Sequence, residues 1–117
     1  MPTTEDRPRA TAEGRPGAKD RITAEVTRWP GVTAQVGKRG EWSFRAGARE
    51  IGHLHGDRVA HFGFPRAVGA GLRDAGRVGP HPVAPDNPGW GARRILTADD
   101  ERDVVALLRL NYDRSAA

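Results

Sequence analysis

The sequence predicts an α+β fold: an antiparallel sheet of about five to six strands with three helices packed mainly on one side. Three observations carry that expectation. Apolar residues recur at helical spacing at Ile22, Val26 and Trp29, at Val68, Leu72 and Ala75, and at Val104, Leu107, Leu108 and Tyr112. Apolar and polar residues alternate through 32–36, 42–46 and 49–55, the period of strands with one buried face. The resulting order, α-β-β-β-β-α-β-β-α, sets runs of strands between helices, which favours an antiparallel sheet.

The chain boundaries follow from composition. Residues 1–18 hold no apolar side chain larger than alanine after Met1, so they cannot offset the entropy of ordering and are expected to form a disordered tail. The domain then runs over 19–117. Asp20 is placed to cap the first helix, which Pro30-Gly31 ends. Strands follow at Val32–Val36 and Trp42–Ala46 around the turn Gly37-Lys38-Arg39-Gly40. Arg49–His55 is the central strand. Gly56-Asp57 reads as a two-residue hairpin loop, which sets His53 opposite Ala60 and turns His61 to the other sheet face.

Pro65 opens the second helix and Gly76 is its expected terminator. A short segment from Val78 to Val83 carries His81-Pro82, and Trp90–Leu96 is the last strand. Thr97 caps a final helix whose first turns hold Asp99, Asp100, Glu101 and Asp103 at the positive helix end. Trp29, Trp42, Phe44, Ile51, Phe62, Leu72, Leu107 and Leu108 are the expected core.

Several function classes fall away on composition. The chain has no cysteine, which removes disulfides, zinc fingers and thiol nucleophiles. Its net charge of +4 is spread among interleaved acids with no block of like charge, so the pattern argues against a nucleic-acid partner. The first 21 residues hold no apolar signal region, and no run reaches the roughly 18 apolar residues of a membrane span. A cytoplasmic protein without a membrane partner is expected. The two serines, Ser43 and Ser115, lack a nucleophile-elbow context, and no glycine-rich phosphate loop occurs.

The chemistry concentrates in Arg49-Glu50-Ile51-Gly52-His53-Leu54-His55-Gly56-Asp57. On a strand, His53 and His55 share one face, with backbones roughly 7 Å apart, close enough to share a ligand, a metal or a water. The same alternation sets Glu50 on the opposite face, as a supporting carboxylate. The H-x-H pair has no glutamate at the offset a cupin metal site needs. A divalent metal held by His53, His55 and His81 stays an open alternative, since neutral imidazoles suit zinc, copper or iron.

With Trp42-Ser43-Phe44, the R-E-I-x-H-x-H motif at 49–55, His61, His81-Pro82, Trp90 and the closing Leu110-Asn111-Tyr112, the chain resembles the luciferase domain family over about residues 29–112. That family includes fungal bioluminescent luciferases and short bacterial proteins. The resemblance implies an oxygenase acting on a phenolic or enolic small molecule with no flavin, nicotinamide or other cofactor. It places Glu50, His53, His55 and His81 at the catalytic positions, with a histidine as general base. Arg49, Arg58 and Trp90 are the expected substrate contacts, and His61 is expected to be peripheral or structural. A small-molecule binding module without catalysis and a metal-dependent enzyme are the competing readings.

Overall fold

Alternation and helical spacing give the expected elements one for one. The computed structural model describes residues 16–116. Helix α1 (Ala18–Val26) precedes strands β1 (Val32–Val36), β2 (Trp42–Ala46), β3 (Arg49–His55) and β4 (Val59–Gly63). Helix α2 (Arg66–Asp74), the short β5 (Gly79–Pro80), β6 (Trp90–Arg94) and the long α3 (Ala98–Ala116) complete the order. Of the expected tail, residues 1–15 lie outside the described residues. Its last residue, Ala18, opens α1 and is buried.

The helix ends show which local signals count. Thr97 and Asp100 form a reciprocal capping box on α3: the Asp100 amide donates to Thr97 Oγ1 at 3.1 Å, and the Thr97 amide donates to Asp100 Oδ2 at 3.1 Å. At the end of α2, Gly76 adopts φ +73° and the Arg77 amide reaches back to the Leu72 carbonyl at 2.9 Å, closing the helix as expected. The start of α1 differs. Asp20 lies within the first turn, and the cap comes from the β3–β4 turn, where Asp57 Oδ1 accepts from the Lys19 amide at 2.8 Å. A distant carboxylate satisfies the helix end that the local one does not.

The sheet runs β1-β2-β3-β4-β6-β5, antiparallel throughout. Two details of register depart from simple alternation. His55 pairs with Val59, Leu54 with Ala60 and His53 with His61, so the hairpin loop holds three residues, Gly56, Asp57 and Arg58. That corrects the expected pairing of His53 with Ala60 and brings His61 to the face of His53 and His55. The apolar alternation of Ala60 and Phe62, both buried, requires this phase.

Between β2 and β3, Phe44 pairs with Gly52 but Arg45 pairs with Glu50, so Ile51 is an extra residue in a β-bulge. The bulge moves Glu50 onto the histidine face, correcting its expected place on the other. Asn111 of α3 secures the bend: its Nδ2 donates to the Ile51 carbonyl at 3.1 Å and to the Gly63 carbonyl at 3.0 Å. Gly52 is required by close approach, since a Cβ there would meet Leu108 Cδ2 at 2.6 Å.

All three helices feed one core. Ile22 and Val26 of α1, Leu72 of α2 and Val104, Leu107 and Leu108 of α3 cluster with Phe44, Ile51, Leu54 and Phe62 of the sheet. The expected core residues Phe44, Ile51, Phe62, Leu72, Leu107 and Leu108 are buried, whereas Trp29 and Trp42 are only partly so. The indole of Trp42 stays near the surface because its N–H donates to Thr23 Oγ1 at 2.9 Å. Trp29 lies at the core edge, under the Arg109 guanidinium and beside Tyr112.

Leu107→Ala or Leu108→Ala should cost about 2–5 kcal/mol in urea unfolding, the range for opening a core cavity. A neutral result at both would mean that α3 does not cover the sheet. Asn111→Ala should cost roughly 1–3 kcal/mol, because two carbonyls lose their donor. Unchanged stability there would show that the bulge stands without α3.

Candidate functional site

Cross-strand register builds the floor of the site. Gln35, Ser43, His53, His61 and Ala92 form one row across β1, β2, β3, β4 and β6, all on the face away from the helices. His55 follows on the same face of β3, and His81 arrives just after β5. All four histidines of the protein therefore meet. Ring centroids lie 5.0 Å apart for His53 and His55, 5.3 Å for His53 and His61, 4.6 Å for His55 and His61, and 4.3 Å for His61 and His81. His61 and His81 are buried, His53 is half-buried, and His55 is exposed.

Hydrogen bonds assign the ring nitrogens distinct roles. Glu50 Oε2 lies 2.8 Å from His53 Nδ1, and Ser43 Oγ donates to Glu50 Oε1 at 2.8 Å. Burial works to raise the Glu50 carboxyl, but the hydrogen bonds from His53 and Ser43 outweigh it and hold the group below its ordinary value. An ionised Glu50 only accepts, so His53 carries its proton on Nδ1 and keeps a lone pair on Nε2. The Val83 amide donates to His81 Nδ1 at 3.1 Å, which leaves the His81 proton on Nε2. His61 is pushed down to about 4, first by burial and then by the charges of His81, His55 and His53. His81 is lowered for the same reasons, burial foremost.

Above this floor lies a cleft of about 940 Å³. The β1–β2 hairpin forms one wall with Val36, Lys38 and Arg39, and Val83, Ala84 and Trp90 form the other. Val36, Val83 and Trp90 are 65%, 79% and 44% exposed, three of the four large hydrophobic side chains left open among the described residues. Concentrated at one cleft, they mark a site for an apolar body.

Five of the expected site residues, Glu50, His53, His55, His81 and Trp90, line this cleft together. Arg49 and Arg58 do not line it. Beyond the bulge regular pairing resumes, so Arg49, next to Glu50, turns to the opposite face, where its charge acts on Arg114 of α3. Arg58 is exposed in the hairpin turn, where its carbonyl accepts from the Ile95 amide at 2.8 Å. Of the two places expected for His61, peripheral or structural, the first is corrected: its buried ring sits at the centre of the cluster. Ser43 and Arg45 also line the cleft. Ser43 was legible as a β2 residue alternating with buried Phe44, and nothing local marked Arg45.

A family model described as Luciferase domain matches residues 48–111, more than half of the chain. The chain belongs to the luciferase domain family. The matched span holds the bulge, Glu50, all four imidazoles, Trp90 and Asn111 of this luciferase-domain chain. No curated protein and no solved structure matches it significantly. No helix among the described residues is long and apolar enough to cross a membrane.

The four imidazoles differ in what they do for the fold. In chelator-containing buffer, His55→Ala should change unfolding free energy by no more than about 0.5 kcal/mol, as expected of an exposed side chain. His61→Ala should cost about 1–3 kcal/mol, since it empties a packed position. Equal losses at both would contradict the burial described.

Proposed function

We propose that this luciferase-domain protein is an oxygenase of a small enolic or phenolic molecule, working without flavin or nicotinamide. The observation that carries the reading is the hydrogen-bonded Glu50–His53 pair on the floor of a cleft with apolar walls. A carboxylate behind Nδ1 orients the imidazole and stabilises the cation that forms when Nε2 takes a proton. The substrate's ring would lie against Val36, Val83 and Trp90 with its hydroxyl facing the imidazoles.

The chemistry then balances without further reagents. His53 Nε2 removes the hydroxyl proton, leaving an electron-rich enolate or phenolate. His81 donates its Nε2–H to the new oxyanion. The anion's carbon forms a C–O bond to molecular oxygen, which is reduced as the substrate is oxidised. The proton returns from His53 to the distal oxygen, giving a hydroperoxide.

Oxygen consumption by the purified protein tests this with hydroxypyrones and catechols as substrates. Uptake should exceed the protein-free rate, and His53→Ala should lower it by about 10²–10⁴-fold, the usual contribution of a positioned base. Glu50→Gln should lower it by a smaller factor. Ligand-induced thermal stabilisation without oxygen uptake would identify a binding module instead.

A further inference from the structure

We propose that His53, His55 and His61 form a three-imidazole site for a divalent transition-metal ion, with Glu50 positioning one ligand and His81 excluded from the set. Each of the three offers a ring nitrogen, and these atoms lie within 4.8 Å of one another. The set differs from the sequence-level alternative of His53, His55 and His81.

The strand geometry explains why these three converge. His53 and His55 project from one face of β3, and His61 stands directly across from His53 on β4. Alternate residues on a strand and opposed residues on its neighbour make a small triangle of side chains. Three neutral imidazoles grouped on one side of an ion leave the cleft side open, which is the arrangement of catalytic three-histidine zinc sites. Metal–nitrogen bonds of about 2.0–2.1 Å place tetrahedral ligands roughly 3.3 Å apart. His55 is exposed and can rotate to close the remaining distance.

Two hydrogen bonds decide membership. A ligating histidine commonly gives its other ring N–H to a carboxylate, which fixes the tautomer and raises ligand basicity. Glu50 does this for His53, and Ser43 holds the second carboxylate oxygen. The Val83 amide on His81 Nδ1 has the opposite effect. It places the His81 proton on Nε2, where a ligand would need its lone pair. His81 is therefore a hydrogen-bond donor beside the open position.

The site goes beyond the oxygenase reading and stands without it. With an ion bound, His53 Nε2 would be a ligand and could not take the substrate proton, so the metal-bound and the proton-accepting cluster are alternative states of one site. The test needs no substrate, so failure of the oxygenase reading leaves it intact.

Tag-free, chelator-treated full chain titrated with zinc and with cobalt, by calorimetry and by cobalt absorption, decides the matter. One ion per chain and a tetrahedral cobalt spectrum are expected. His53→Ala and His55→Ala should abolish both signals, Glu50→Gln should weaken binding by about 10–100-fold, and His81→Ala should retain the spectrum. His55 is exposed, so loss of binding in His55→Ala cannot come from misfolding, and circular dichroism of that variant verifies this. Absence of saturable binding, or binding that survives His55→Ala, or loss in His81→Ala equal to that in His53→Ala, would overturn the proposal.

Discussion

The site depends on one extra residue in one strand. Ile51 interrupts the pairing of β2 with β3, and Asn111 of α3 holds the bend by donating to the Ile51 and Gly63 carbonyls. A bulged strand leaves backbone groups outside the ladder, and burying them is costly unless a partner is supplied. Asn111 is itself 1% exposed, so the last helix supplies that partner from within the core. Strict alternation would leave Glu50 on the helix side. With the bulge, it reaches His53.

The two faces of the sheet consequently obey different rules. One is dry: Phe44, Ile51, Leu54 and Phe62 pack under Leu107 and Leu108. The other carries four imidazoles and, among the described residues, no covering helix, and the β1–β2 hairpin and the loop around Val83 rise beside it as walls. Burial and mutual repulsion hold His61 and His81 down, while Glu50 is the carboxylate within hydrogen-bonding reach of the cluster, at His53. A cluster of lone pairs with the Glu50 carboxylate hydrogen-bonded behind it suits proton acceptance or a cation, and both readings draw on the same polarity.

Local turns tie the site to the rest of the fold. Asp57 lies two residues beyond His55 and caps α1, so the hairpin that sets the register of His61 also anchors the first helix. Gly52 lies between His53 and the bulge, with Leu108 and Phe62 against it. Function and core therefore share a backbone, with the polar chemistry on one side and the packing on the other.

By itself the sequence determined the element order, the helix ends at Thr97 and Gly76, most of the core, and the chemistry of the H-x-H stretch. These are short-range properties: period, capping and composition are written within a few residues. The placing of His61, the side taken by Glu50, the displacement of Arg49 and the cap on α1 were decided by tertiary structure. A strand's side chains repeat every two residues, so one residue more in a loop or a bulge exchanges the faces. Whether that residue is present is settled by what packs against the strand. Here the deciding side chain, Asn111, comes from a helix 60 residues further along the chain than Ile51.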